Sequence, residues 1–284
     1  MEKSLIAISY KCPICGTNMK LVERKNRIDG FEWMCRVTGG ECRHRISRSV
    51  RKNSWFAKSK LSMCDVLRVT YMWLGKCGND FIRTELRIAK NTVTDWKSFC
   101  REVCMELCLK ENVMLGGEGV IVEIDESKFG KLKYHRGKRV EGRWVFGLVE
   151  RGTDKCVFRV VENRGAETLL EIIKENVLPG SIVISDCWKA YDCLEFEGYA
   201  HLKVNHSLQF KDPETGRHTN SIEGTWAAIK RSFRGSSKAK GQFDSYLAEY
   251  IWRRKHKKSD ASQLMHIFLS EITAIYSAKG EDRR

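Results

Sequence analysis

Two short apolar runs in this chain each end on an aspartate: VIVEID closes at Asp125 and SIVISD closes at Asp186. Runs of this length and composition read as strands buried in a sheet. The acid at the end of each then emerges at the carboxyl edge, where open α/β sheets build their sites. The neighbouring residues agree. GVIVEIDESKF, RWVFGLVERG and KCVFRVVEN predict three strands, with RGTDK as a hairpin turn between the second and third. AETLLEIIKENVL predicts a helix that stops at Pro179-Gly180, HLKVNH gives one more candidate strand, and from Ser221 the pattern is helical through SIEGTWAAIKRSF and DSYLAEYIWRRKH. The expectation is an α/β domain with a mixed sheet.

The Gly-rich segment ENVMLGGEG separates that domain from a different front half. Residues 12 to 60 are rich in Cys and Arg with little apolar periodicity, as in a small knob held by something other than a core. Cys12-Pro-Ile-Cys15 offers two thiolates at the spacing that tetrahedral zinc accepts, and Cys35 and Cys42 complete four ligands, although the six residues between them leave room for His44 to replace Cys42. Free buried thiols are the alternative. Beyond this zinc ribbon, LSMCDVLRVTYMWLG after Ser62, FIRTELRIA after Asp80 and TVTDWKSFCREVCMELCLK after Asn91 predict three helices with tight connections. They suit a helix-turn-helix, the alternative being a helical spacer. The expected division is 1–60, 61–115 and 116–284.

Of 12 cysteines, Cys100, Cys104 and Cys108 share one helix face and read as small buried residues in a reducing compartment, not as a disulfide framework. The net charge of +15 is spread along the chain and suits a polyphosphate partner. No apolar run of membrane-spanning length is present, and MEKSLIAISYK is too short in its apolar part for a secretory signal.

Glu223 sits in the helical segment after KDPETGRHTNSIE, where Asn220, three residues earlier, shares its face. Two aspartates from adjoining strands and a glutamate from a helix can surround two Mg²⁺ (or Mn²⁺) ions, one activating an attacking oxygen and one stabilising the leaving oxygen of a phosphodiester. Taken singly, each strand-end Asp is as readily a helix cap or turn residue. Glu126 should point to the opposite face and ranks lower as a ligand. His206 and His218 flank the third acid and could orient phosphate or water, or serve as hydrogen-bonding support. Lys128, Lys131, Lys133, Arg136, Lys138 and Arg139 form a basic loop after the first strand that could hold DNA near the metals, and Lys230 and Arg231 could meet phosphate from the last helix turn. Trp188 and Trp226 follow the acids closely and read as core residues locking them in place.

The segments VEIDESKFGKLKYHRGKRVEGRWVFGLVERG, LPGSIVISDCWKAYDCL and VNHSLQFKDPETGRHTNSIEGTWAAIKR closely resemble the catalytic domain of Merlin-type DNA transposases and their bacterial insertion-sequence relatives. The similarity spans about residues 118 to 255, and the front half, with CPICG and RKNSWFAKSKLS, looks like the zinc-bearing, DNA-binding end of that group. The resemblance implies a ribonuclease H-like fold and an Asp-Asp-Glu triad at Asp125, Asp186 and Glu223. Some bacterial relatives use Asn in the third region, which makes Asn220 the candidate there. It further implies binding of double-stranded DNA at terminal inverted repeats, metal-dependent cleavage and strand transfer into target DNA, and a homodimer or higher assembly. The nucleus is the expected and preferred compartment for a eukaryotic owner and the cytoplasm for a bacterial one. A ribonuclease H-like nuclease without strand transfer and a domesticated DNA-binding protein are the alternatives.

Overall fold

A computed structural model describes residues 4–129, 142–186, 191–204, 219–233, 242–276 and 278. The chain divides into two compact units, one of Met1–Leu107 with Lys258–Arg284 and the other of Cys108–Lys257.

The first unit opens on an antiparallel three-stranded sheet of β1 (Lys20–Glu23), β2 (Phe31–Val37) and β3 (His44–Ser49), in that order. Period-two alternation sends Trp33 and Cys35 inward against Tyr10, Cys12, Met19 and Val50. The other face carries Arg36 directly across from Arg45 on β3, both exposed. A buried ion pair joins this ribbon to the helical part of the unit. Arg51 reaches Asp29 Oδ1 at 2.7 Å and the carbonyl of Ser59 at 2.7 Å, while Asp29 accepts the backbone N–H of Met63 at 3.0 Å.

Met63 opens α1 (Met63–Leu74), where the Ser62 hydroxyl accepts the Asp65 N–H as an N-cap. With α2 (Asn79–Leu86) and α3 (Lys90–Lys110) it encloses Phe56, Val66, Val69, Ile82, Val93 and Trp96. Cys100 and Cys104 are buried and Cys108 half-buried on the inner side of α3. A further helix, α7 (Ala261–Ile275), opens on an Asp260/Gln263 capping box and packs on α1, its Phe268 ring centroid 5.2 Å from that of Trp73. Phe268 and Ile272 of this helix are buried, and by its contacts the helix groups with the front unit.

The second unit is built on a five-stranded sheet. Its strands are β5 (Ile121–Phe129), β6 (Arg143–Glu150), β7 (Cys156–Val161), β9 (Ile182–Asp186) and β10 (Ala200–Val204), in the order β10-β9-β5-β6-β7. β5, β6 and β7 pair antiparallel, whereas β9 and β10 run parallel to β5. A small parallel pair, β4 (Leu115–Gly116) and β8 (Val177–Leu178), stands apart from it. The parallel step from β7 to β9 requires a crossover, supplied by α4 (Ala166–Asn176).

Alternation splits the core into two layers. Val122, Ile124, Phe146 and Leu148 face Leu169 and Ile173 of α4 together with Tyr191. Phe129, Val145 and Val149 face Ile222, Trp226 and Ile229 of α5 (Asn220–Ser232) and Leu247 of α6 (Phe243–Lys255). The sheet is therefore covered on both sides, as apolar strands with a parallel component require.

Candidate active site and candidate metal centre

Asp125 and Asp186 reach the same level on neighbouring parallel strands. The register Ile121↔Ile182, Val122↔Val183, Glu123↔Ile184, carried two residues further, sets Asp125 opposite Asp186 on the sheet face covered by α5. Glu223 lies in the first turn of α5, its carboxylate accepting the Thr219 hydroxyl at 3.2 Å. Asp125 is half-buried, and burial pushes its carboxyl up to about 6, with the charges of Asp186 and Glu223 adding to the rise. The Trp226 indole N–H opposes that shift by donating to Asp125 Oδ2 at 2.9 Å. Three anionic groups thus share one patch of field, an arrangement that favours a bound cation.

Trp226 reaches Asp125 because residue 147, paired with Asp125 across β5 and β6, is glycine. A Cβ there would stand 2.6 Å from the indole ring. The ring is otherwise packed by Phe129 and Phe158, with centroids 5.8 and 5.2 Å away.

Glu126 leaves β5 on the opposite face. Burial pushes its carboxyl up to about 7, and it accepts the hydroxyl of Tyr191, whose own titration burial raises. Lys128 shares that face, its ammonium 5.3 Å above the Trp144 ring, which also carries the Arg164 guanidinium at 3.8 Å. Lys128 is thus removed from the Asp125 side of the sheet. Lys230 and Arg231 are exposed in the last turn of α5, with Lys230 lying 5.6 Å from the Phe129 ring centroid. Asn220 is exposed at the start of that helix. Lys131, Lys133, Arg136, Lys138, Arg139, His206, His218 and Trp188 lie outside the described residues.

Among the described residues, the ligand atoms that gather within 4.8 Å of one another are those of Cys12, Cys15, Cys35 and His44. The two cysteines of the CPIC turn are brought together by the Gly16 N–H, which donates to the Cys12 carbonyl at 2.8 Å. Cys35 comes from β2, and His44 from the start of β3, where it pairs with Val37. His44 Nε2 is 3.4 Å from both Cys12 Sγ and Cys35 Sγ, and Cys15 Sγ is 3.6 Å from Cys35 Sγ. Zn–S bonds of about 2.3 Å and Zn–N bonds of about 2.0–2.1 Å at tetrahedral angles give edges of about 3.5–3.8 Å, so the cluster has the size of a zinc site.

His44, not Cys42, holds the fourth corner. The Cys42 side chain is exposed, while its carbonyl lies 2.6 Å from His44 Nδ1 and so orients the ring that stands in the place expected for Cys42. The Thr17 hydroxyl, 3.0 Å from Cys15 Sγ, brings that thiol down to about 6.

Sequence reasoning passed over Thr17, Thr219, Tyr191 and Glu123. Only Glu123 carried a signal, as a second acid inside VIVEID on the same face as Asp125.

Comparison with known proteins gives the chain its place. A Haemophilus influenzae "uncharacterized transposase-like protein" is 39% identical over 97 residues, covering 33% of this chain and 76% of the relative. Among solved structures, a simian T-cell lymphotropic virus intasome in complex with PP2A regulatory subunit B56 gamma is 15% identical, with 65% of this chain and 67% of that chain covered and a TM-score of 0.34. The HTLV-2 integrase catalytic core domain in complex with magnesium, in its dimeric form, is 14% identical, with 54% and 98% covered and a TM-score of 0.33. Both TM-scores are below 0.5, and the assignment rests on sequence. Residues 114–255 match the ISXO2-like transposase domain, which spans β4 to α6 and includes all three acids, and the chain belongs to that family of bacterial insertion-sequence-related transposases.

Proposed function

We propose that this chain is a DNA transposase with a ribonuclease H-like catalytic unit, in which Asp125, Asp186 and Glu223 hold two Mg²⁺ or Mn²⁺ ions. The observation that supports the reading is the β5–β9 register, which, continued two residues past its last pair Glu123↔Ile184, brings Asp125 and Asp186 to one level on the sheet face that also receives the Glu223 helix. The donor set is all hard oxygen, as magnesium prefers. When bound, the metals supply charge neutralisation and an activated oxygen for in-line attack on phosphorus. Trp226 keeps the Asp125 carboxylate turned toward its partners, and the Thr219 hydroxyl does the same for Glu223. Cys12, Cys15, Cys35 and His44 would hold a structural Zn²⁺.

DNA is gripped by the front unit. The Arg36–Arg45 cross-strand pair sets like charges directly opposite, which destabilises a free sheet and is relieved by a phosphate. The helices α2 and α3 supply the helix-turn-helix-like part, and a dimer or higher assembly joins the two element ends. The chain binds terminal inverted repeats, cuts at the element end and transfers the freed 3′ end into target DNA.

The test uses a duplex carrying the repeats that flank its gene. The expected result is Mg²⁺-dependent cutting and a joined product, both abolished by Asp125→Ala and by Glu223→Gln. Random nicks with no joined product identify a nuclease, and binding with no cutting identifies a DNA-binding protein alone.

A further inference from the structure

The buried acid Glu123 has no part in that chemistry. It lies two residues before Asp125 on the same face of β5, with its side chain 0% exposed. An unpaired carboxylate cannot remain charged in such a place. Arg151 meets it with two nitrogens, Nε and one guanidinium NH₂, each 2.8 Å from Oε1. The second oxygen, Oε2, accepts the backbone N–H of Ile222 at 2.9 Å, from a residue 99 positions away in the chain.

Ile222 is the third residue of α5, and its N–H is one of the first-turn donors that a helix cannot satisfy from within. Thr219, at the N-cap, makes no side-chain cap bond. Glu123 therefore does from the strand what a capping side chain does locally, and its negative charge suits the positive end of the helix.

Four residues along α5, the Trp226 indole donates to Asp125 Oδ2 at 2.9 Å, two residues along β5 from Glu123. Four helical residues advance about 6 Å and two strand residues about 6.6 Å. Both rungs are thus made with helix and strand in step. Glu223 sits between them, immediately after Ile222.

We propose that Glu123, clamped by Arg151, is a positioning residue that caps α5 from β5 and so fixes Glu223 relative to Asp125. The inference rests on the reading of Asp125, Asp186 and Glu223 as metal ligands, and its consequence is that metal affinity depends on a carboxylate that never touches the metal. An ion pair serving stability alone would have no such effect, since a buried pair exchanged for apolar residues is often neutral.

The test has three arms on the full chain. In the wild type, the Ile222 amide should exchange with deuterium at least tenfold more slowly than the Ser221 amide, its helical neighbour. In the double variant Glu123→Leu/Arg151→Met, that protection should be lost and Mn²⁺ affinity, read by calorimetric titration without DNA, should fall about tenfold or more, the range typical of supporting groups behind metal ligands. Glu123→Gln has one acceptor oxygen where Glu123 uses two, so with that oxygen on Arg151 its NH₂ faces the Ile222 N–H, and Ile222 protection and Mn²⁺ affinity should both fall as in the double variant. Equal exchange at Ile222 and Ser221 in the wild type overturns the cap whether or not the double variant folds. Exposed α5 amides with unchanged Mn²⁺ affinity overturn the positioning role. Should Asp125→Asn bind Mn²⁺ as the wild type does, the triad reading fails, and the exchange arm still judges the cap by itself.

Discussion

Replacing Asp125 by Asn should make the protein more stable and useless at once. The Asp125 carboxyl titrates at about 6 because burial and the two neighbouring acids disfavour its charge. An unfolded Asp titrates near 3.9, so at pH 7.5 the ionised side chain costs the folded state about 3 kcal/mol, at about 1.4 kcal/mol per unit. The sign follows from the raised value. The folded state binds the extra proton, so wild-type stability falls as pH rises from about 4 to about 6 and is level above that. Asn carries no charge at any pH, and its oxygen can still accept the Trp226 N–H. In magnesium-free buffer at pH 7.5, Asp125→Asn should gain up to about 3 kcal/mol, roughly 6–12 °C for a unit of this size. At pH 4 the gain should shrink to about 0.5 kcal/mol, because the folded side chain is then protonated and the unfolded one is about half so. Scanning calorimetry of the full chain at the two pH values reads the difference, and adding Mg²⁺ should raise the wild-type midpoint but not the variant's. A variant midpoint equal to or below the wild type at pH 7.5, or an increment that persists at pH 4, refutes the account of a carboxylate held charged against its surroundings.

Four further outcomes rest on other contacts. Metal analysis should find about one zinc per chain in Cys42→Ser and well under half in His44→Ala, since only the latter removes a corner of the cluster. Gly147→Ala should cost about 1–3 kcal/mol by chemical denaturation and weaken Mn²⁺ binding, because the new methyl displaces the indole that holds Asp125. The double change Arg36→Gln/Arg45→Gln should lower the slope of log affinity against log salt for duplex DNA by about 2, and leave the free protein as stable or more so. Burial raises the Asp29 carboxyl but its hydrogen bonds to Arg51 and Met63 outweigh this, leaving it below its usual value, so its contribution is present above about pH 3.9 and is lost as pH falls through the folded value. Asp29→Asn should thus cost several kcal/mol at pH 7, and urea titrations should show the gap to wild type closing in acid.

The two strand-end aspartates, Asp125 and Asp186, were legible because strand chemistry is local. VIVEID and SIVISD declare buried strands by composition, and an acid at the end of each stands out against the apolar run. The choice of His44 over Cys42 was not, because it turns on the β2–β3 pairing, which sends residue 44 toward Cys35 and leaves Cys42 in the exposed turn. The role of Glu123 depends on a partner 99 residues distant and could not be read from neighbours. Helix α7 escaped attention for a related reason. Its pattern, ASQLMHIFLSEITAI, is visibly amphipathic, but nothing local says which core it completes. Lys128 belonged by sequence to a basic loop near the metals, yet strand alternation turns it to the far side of the sheet.

The place of α7 bears on how the protein is made. Synthesis runs from the amino end, and domains generally fold as their residues emerge from the ribosome. The front unit cannot follow that schedule, since Trp73 waits for Phe268 to cover it. Until helix α7 leaves the exit tunnel, the nascent front unit is unfinished even though every residue of the second unit has already been translated. In a newly made molecule the middle of the chain can therefore finish folding before its front.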